Sequence, residues 1–131
     1  MPDRNVLQIT PFMHVADVDE AVLFFTDTLG FDCEFRQPGY AYVSLEGAGV
    51  RILGHDAPEE IGTAHRGFAY YVDVRDLDPI LKALKPKLDR LPASDVHGPV
   101  DQPYGQRELM IRAPDGNLVV FGQPLRSQRR S

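Results

Sequence analysis

The sequence has 131 residues, of which 43% are apolar and 25% are charged. That composition predicts one ordinary globular domain, 1–131, with a substantial core. The net charge of −5 argues against a nucleic-acid partner, because nucleic-acid-binding domains are usually basic. Cys33 is the only cysteine, which excludes a disulfide framework and a cysteine-based metal cluster. No apolar signal core or membrane-length run is present, so we expect a cytoplasmic protein with no membrane partner.

The first half of the chain predicts one strand, one helix and three further strands. The first strand is expected over residues 6–15, with an interruption at Pro11 because proline has no N–H for a ladder. Asp17 is placed to cap the helix, with Glu20 positioned for a capping box, and Gly30 to end it. Alternating polar and apolar residues predict the further strands at 31–35, 40–46 and 50–55.

A polar linker over residues 56–66 leads into a second half of the same order. A strand is expected over residues 68–74, followed by a helix that Pro86 should kink or end, making it shorter than the first helix. Residues 91–98 predict a short irregular segment. The last two strands, 108–112 and 118–121, flank a tight turn in which Gly116 or Asn117 is expected to take a positive φ.

The two halves also repeat each other in sequence. The stretch from Val15 to Val22 aligns with that from Val74 to Leu81, and the module ends 50–54 and 118–122 match as well. Two copies indicate a duplicated module and not a solenoid. We place module one at about residues 6–55, module two at about 67–123, and a frayed tail at 124–131.

These features together resemble the vicinal oxygen chelate (glyoxalase/bleomycin-resistance) superfamily over roughly residues 6–123. The resemblance lies in the duplicated βαβββ module, the two helix starts, the segment Thr26-Asp-Thr-Leu-Gly-Phe31 and the Pro-Asp-Gly-Asn turn. The segment Gln102-Pro-Tyr-Gly-Gln-Arg-Glu108 is most similar to the bleomycin-resistance branch. The resemblance implies an α+β fold in which two tandem βαβββ modules form concave, cleft-lining mixed β-sheets. It also implies a homodimer that exchanges its N-terminal arms, with the residues before Pro11 as the arm.

The resemblance further implies where a metal would bind. Enzymes of the superfamily hold a divalent metal through four inward side chains, and those positions fall here on Thr10, Ile52, Ala69 and Val120. These side chains offer one weak oxygen, whereas a divalent cation needs three or four N, O or S donors. We therefore expect no metal and no other cofactor. A displaced site built on His14 and His65 is the alternative, but the two fall at opposite ends of their strands, which favours surface or strand-end histidines over a shared ligand pair.

Without a metal, the resemblance favours binding over catalysis. In the bleomycin-resistance branch a flat, cationic drug lies between aromatic side chains in clefts at the dimer interface. The matching positions here carry Phe35, Tyr40, Tyr71 and Tyr104, for which core packing is the competing interpretation. The candidate anionic partners and orienting donors are Glu34, Asp73, Arg51 and Arg107. This sequence departs from the family pattern in having tyrosine for tryptophan at two of these positions and Gln106 as an extra residue.

The sequence therefore predicts a metal-free protein that sequesters a small aromatic or cationic ligand, with a bleomycin-like compound as one candidate. The alternative is an enzyme of the same superfamily, such as a metal-dependent lyase or dioxygenase with displaced ligands. No nucleophile–base pair is visible, because Cys33 has no evident histidine partner and Ser44 and Ser94 lie in no elbow motif.

Overall fold

The computed structural model describes residue 5 and residues 7–54 and 68–125, so the predicted linker, His55, His65 and the end of the tail lie outside the described residues. The chain forms two four-stranded sheets. The first contains β1 (Phe12–Val15), β2 (Asp32–Gln37), β3 (Tyr40–Leu45) and β4 (Ala48–Gly54). The second contains β5 (Ala69–Asp73), β6 (Val96–Asp101), β7 (Gln106–Arg112) and β8 (Leu118–Pro124).

Both sheets have the same topology, with the strand orders β1-β4-β3-β2 and β5-β8-β7-β6. In each sheet the first and last strands of the module pair in parallel, and the other pairs are antiparallel. A parallel pair needs a crossover, which the helix of each module provides. The predicted α+β fold of two βαβββ modules is thus confirmed.

The first helix begins as the sequence predicts. Helix α1 (Val18–Leu23) continues into a π-helical turn over Phe24–Thr28. The Asp17 carboxylate accepts a hydrogen bond from the Glu20 N–H at 3.2 Å, which satisfies one of the free donors of the first turn. Gly30, with φ 79°, follows the helix in the left-handed conformation that favours glycine.

The prediction of a short second helix is wrong. Helix α2 spans Asp78–Leu88 with Pro86 inside its last turn. The helix continues past the proline because Leu84 and Leu88 are both buried and the Asp89 N–H donates to the Lys85 carbonyl at 2.9 Å. Packing of the apolar face thus outweighs the local cost of the proline.

One local prediction in module two also needs correction. The stretch expected to be irregular forms a 3₁₀ turn (Ala93–Asp95) and strand β6, whose pairing with β7 is shifted between His97 and Val100. In the last turn the predicted positive φ is confirmed at Gly116; Asp115 also has a positive φ, and Asn117 has φ −70°. Asn117 is instead buried, and its amide donates to the carbonyls of Pro114 (3.0 Å) and His14 (3.3 Å).

One apolar core joins the two modules. It includes Ile52 of the first sheet and Phe121 of the second, and both are completely buried. Polar contacts also link the modules: the Tyr70 hydroxyl donates to the Phe12 carbonyl at 2.7 Å. The aligned halves are therefore packed as one unit across the described residues.

Strand register shows which face of each sheet is available to a ligand. Side chains alternate between the two faces of a strand, and residues opposite each other on paired strands share a face. Met13 lies opposite Ile52, and Val72 lies opposite Phe121, with these four side chains on the helix side of the sheets. We call the other side of each sheet, which faces away from the core, its open face.

The register also corrects the alignment of the module ends. Ile52 is equivalent to Phe121 and points into the core, so the open-face residue that corresponds to Val120 is Arg51. The sequence alignment of Gly54 with Gly122 is therefore one residue out of step, because glycine was matched to glycine without regard to the alternation of the strands.

Candidate functional site

The open face of sheet one carries a cluster of aromatic rings around an arginine. Phe35 and Tyr42 are paired across β2 and β3, and the Phe35 and Tyr40 rings lie 5.9 Å apart. The Arg51 guanidinium lies 5.1 Å from the centre of the Tyr42 ring, within the range of a cation–π contact, and also donates to the Tyr40 hydroxyl. The result is a rigid aromatic surface with one fixed positive charge.

Two further polar contacts border this surface. The Ser44 hydroxyl donates to the Glu34 carboxylate, which places Glu34 beside the open face at the irregularity in β2. The Gln8 amide, from the segment before β1, donates to the Tyr42 hydroxyl at 3.1 Å and to the Thr10 hydroxyl at 2.8 Å. The N-terminal segment therefore contributes directly to the open face of sheet one.

The open face of sheet two has a carboxylate at its centre. Glu108, on β7, has only 3% of its surface exposed. The Tyr104 hydroxyl donates to its Oε1 at 2.8 Å. The Tyr71 hydroxyl lies beside the same carboxylate and donates to Gln106 Oε1 at 3.1 Å. Two tyrosines from separate parts of the module therefore converge on one buried acid.

The Glu108 carboxylate affects the pKa of both tyrosines. Partial burial, a hydrogen bond with Glu108 and the negative charge of Glu108 together raise the pKa of Tyr71. The hydrogen bond to Glu108 is also the main reason why the pKa of Tyr104 is raised. Both hydroxyls thus stay protonated at neutral pH and remain donors.

Each open face contains a glycine over which a tyrosine ring lies. A Cβ atom on Gly122 would meet the Tyr71 hydroxyl oxygen at 1.9 Å, and one on Gly49 would meet that of Tyr42 at 2.3 Å. Glycine at these two positions lets each ring lie flat across the neighbouring strand.

One surface crevice adjoins the open faces, and another lies on the helix side of sheet one. The first, of about 520 Å³, lies where the segment Gln8–Pro11 and the β3–β4 turn approach Tyr71 and Asp73 of β5. The second, of about 620 Å³, lies at the start of α1 beside the Asp19–Arg36 ion pair. Only the first of these reaches the tyrosines of sheet two.

Comparison with known proteins identifies the family of this chain. The model of the Glyoxalase/Bleomycin resistance protein/Dioxygenase superfamily matches residues 7–121. The chain belongs to this superfamily. A bleomycin resistance protein of Geobacillus stearothermophilus is 24% identical over 93% of this chain and all of its own length.

Solved structures agree with this membership. A bleomycin-binding protein of Streptomyces verticillus, complexed with copper(II)-bleomycin, superposes with a TM-score of 0.72 at 24% identity, covering 90% of this chain and 96% of its own. An antibiotic-binding protein of a Streptomyces species superposes with a TM-score of 0.62 at 26% identity, covering 92% and 99%.

The metal positions of the superfamily do not fit a metal here. Thr10, Ala69 and Val120 provide a single hydroxyl, and Ile52 is buried in the core. Arg51 takes the open-face position equivalent to Val120. Considering Arg51 in place of Ile52 adds a cation and no metal ligand. Within residues 7–54 and 68–125, no three His, Cys, Asp or Glu side chains lie close enough together to hold a metal ion.

The structure brings most of the predicted ligand-binding residues onto the open faces. Sheet one holds the group Glu34, Phe35, Tyr40 and Arg51, and sheet two holds the group Tyr71, Asp73 and Tyr104. Arg107 is the exception. It shares the helix side with Leu109 and forms an ion pair with Asp101 at 3.0 Å. The alternation of β7 places its neighbour Glu108 on the open face instead.

Three residues of these clusters, Tyr42, Gln106 and Glu108, were not predicted from the sequence as site residues. Tyr42 was within reach, because it is two residues after Tyr40 on a strand and therefore shares its face. Glu108 gave no signal, since a glutamate in an alternating strand is usually exposed. Its burial comes from Tyr71 and Tyr104, which are far from each other in sequence.

Proposed function

We propose that this protein binds and sequesters a small molecule with a flat aromatic part on the open faces of its sheets, without a metal. The observation that carries the proposal is the exposure of aromatic rings there: 51% for Phe35, 42% for Tyr71 and 62% for Tyr104. Large apolar side chains that are exposed together often mark a ligand-binding surface. Stacking and cation–π contacts with them provide affinity without bond-breaking chemistry.

The relatives support the same class of function. The Geobacillus stearothermophilus relative is a bleomycin resistance protein, and we propose bleomycin or a compound with a similar flat cationic part as a ligand of this chain. No described helix is long and apolar enough to cross a membrane. With its exposed free thiol at Cys33, the protein suits a reducing compartment, and we propose that it acts in the cytoplasm.

The experiment is a thermal-shift and calorimetric titration of the full chain with bleomycin, ethidium and 9-aminoacridine. A ligand at 100 times its dissociation constant should add about 2.7 kcal/mol to the free energy of unfolding. Tyr104→Ala should weaken binding by about 1–3 kcal/mol while the protein stays folded. Leu23→Ala, at an exposed site on α1, is the control and should bind normally. If no compound shifts the melting temperature, the proposed function is wrong.

The proposal that no metal takes part has its own test. Adding Zn²⁺, Ni²⁺, Fe²⁺ or Mn²⁺, or a chelator, should leave both the melting temperature and the ligand affinity unchanged, because the superfamily positions offer a single hydroxyl and no other donor atom. Stoichiometric metal in purified protein, or a chelator-induced loss of several degrees, would favour the lyase or dioxygenase alternative.

We also propose a homodimer in which the N-terminal arms are exchanged. Leu7 and Ile9 expose 91% and 94% of their surface, and residues 7–11 precede the edge strand β1 without being part of it. Pairing the arm with a second subunit would bury these side chains and cover an open sheet edge. Val6, the third apolar residue of the predicted arm, lies outside the described residues. Sedimentation of the full chain should show a dimer, and a chain that starts at Phe12 should dissociate.

A further inference from the structure

The carboxylate of Glu108 is buried on a surface that is otherwise open. Its hydrogen-bond donor is the neutral Tyr104 hydroxyl. The two arginines of the same strand are paired elsewhere, Arg107 with Asp101 (3.0 Å) and Arg112 with Asp95 (3.3 Å). Among the described residues, no lysine, arginine or histidine forms an ion pair with Glu108.

An anion in this position is costly for the protein alone. A buried charge is stabilised well only by an opposite charge with good hydrogen-bond geometry, and neutral donors compensate for part of the lost hydration. The Tyr104 hydrogen bond to the carboxylate has one charged partner, whereas a cationic donor would add the Coulomb attraction between two opposite charges. A cationic group of a ligand would therefore gain more from Glu108 than the Tyr104 hydroxyl does.

The surroundings of Glu108 allow such a group to reach it. Tyr104 lies in the turn before β7 with 62% of its surface exposed, so the side chain that covers the carboxylate is free to rotate outward. Opposite Glu108 on β8 is Gly122, and the Tyr71 ring lies over this glycine, so an aromatic side chain borders the carboxylate on that side. The exposed Asp73 carboxylate adds negative charge on the same face.

The open face of sheet one has the opposite character. Arg51 is its fixed charge, and this guanidinium is held by the Tyr42 ring and the Tyr40 hydroxyl. The Glu34 carboxylate lies at the border of this face, but a cationic group at its centre would be repelled by Arg51, whereas the aromatic parts of a ligand would still stack. The two faces thus differ in charge, and sheet two is the one suited to a cation.

We propose that Glu108 determines ligand specificity by pairing with a protonated amine or amidinium group of an aromatic ligand on the open face of sheet two. The rings of Tyr71 and Tyr104 then flank that cation. This inference rests on the proposed binding function and specifies the chemical class of the ligand.

The test uses two probes of similar shape and different charge: 9-aminoacridine, which is protonated at neutral pH, and acridine, which is neutral. Fluorescence titration of the wild type should give at least about tenfold tighter binding of 9-aminoacridine. Glu108→Gln keeps an acceptor for the Tyr104 hydroxyl and removes the charge. In this variant the two probes should bind with nearly equal affinity, while the affinity for acridine stays as in the wild type.

Asp89→Asn is the matched control, because it changes the net charge by the same amount at an exposed helix end, where Asp89 pairs with Lys85. It should leave the ratio of the two affinities unchanged. Tyr104→Phe gives an independent test if Glu108→Gln fails to fold. It keeps the ring but removes the hydroxyl that competes for the carboxylate, so 9-aminoacridine should bind about threefold more tightly or better, with acridine unaffected.

The possible failures are distinct. If the wild type binds both probes equally, or if Glu108→Gln weakens both by the same factor, Glu108 has only a structural role and this inference is overturned, while the proposed binding function stands. The same conclusion follows if Tyr104→Phe leaves the ratio unchanged. If neither probe nor bleomycin binds to the wild type, the proposed function fails and this inference fails with it.

Discussion

The two sheets of this protein share a framework and differ in the chemistry of their open faces. In both, the first and last strands of the module pair in parallel, and a helix follows the first strand. In both, a tyrosine ring lies over a glycine, Tyr42 over Gly49 and Tyr71 over Gly122. On sheet one the central charge is the Arg51 cation. On sheet two it is the Glu108 anion, which is covered by tyrosine hydroxyls.

This difference shows which positions duplication leaves free to change. Side chains on the helix side, such as Ile52 and Phe121, are fixed by packing in a core that tolerates little change in volume. On the open faces, Phe35, Tyr71 and Tyr104 are instead 42–62% exposed, so packing constrains such side chains less. The following predictions test how far the two modules are equivalent.

The largest effect is expected in the shared core. Phe121→Ala should lower the free energy of unfolding by about 3–5 kcal/mol, because a large buried side chain is removed and a cavity remains. Ile52→Ala, at the equivalent position of module one, should cost about 2–5 kcal/mol. Heat and urea unfolding, followed by circular dichroism, should show one transition in both variants. Two separate transitions, with only one displaced, would mean that the modules do not share a core.

The second prediction concerns Tyr70, the hydroxyl of module two that contacts module one. Burial raises the pKa of Tyr70 to about 12, above the value of about 10 in an unfolded chain. Its contribution is therefore fully present below pH 10 and is lost as the pH rises towards 12, a loss of up to about 2–3 kcal/mol. Between pH 9 and pH 11, the free energy of unfolding measured with urea should decrease less for Tyr70→Phe than for the wild type. An identical decrease would show that other groups cause it.

The third prediction compares the two glycines of the open faces. Gly122→Ala should displace the Tyr71 ring and weaken binding of 9-aminoacridine by about 1–2 kcal/mol, the scale of a lost aromatic contact. Gly49→Ala displaces Tyr42 on the face that carries Arg51 and should weaken the binding of 9-aminoacridine less. Fluorescence titration of both variants, with circular dichroism to verify folding, measures the difference. Equal losses would indicate that both faces contact the cation.

The smallest effect is expected at the helix starts. Asp17→Ala should cost about 1 kcal/mol, because Asp17 accepts a hydrogen bond from the first turn of α1. At the start of α2, two side chains accept hydrogen bonds from backbone N–H groups. Gln123 of β8 accepts from the Leu77 N–H at 2.6 Å, and Asp76 accepts from the Asp78 N–H at 3.1 Å. Asp76→Ala should therefore cost about half as much. Chemical denaturation of both variants tests the ranking, and a larger cost for Asp76→Ala would reverse it.

The sequence was sufficient for the elements that depend on local signals. The Asp17 cap, the helix end at Gly30 and the doubly buried strand containing Val120 follow from residue type and periodicity. The helix end predicted from Pro86 is wrong because the local preference of the proline is opposed by the burial of Leu84 and Leu88, which depends on tertiary packing.

The open faces were predicted less completely for a similar reason. Phe35 and Tyr40 were predicted because they match aromatic positions of the bleomycin-resistance branch, and Arg51 was predicted as a candidate orienting donor beside them. Arg107 was misplaced by one step of the alternation, since the exact start of a strand is hard to determine from sequence. The importance of Glu108 depends on which side chains cover it, and periodicity contains no such information.

The topology of each module has a consequence for the order of folding. β2, β3 and β4 are joined by tight turns and form antiparallel pairs between neighbours in the chain. The parallel pairing of Phe12 with Arg51 instead joins the two ends of the module. Closing a long loop costs more entropy than closing a hairpin. We therefore expect substitutions in the β3–β4 hairpin to slow folding, whereas substitutions in β1 should mainly speed unfolding.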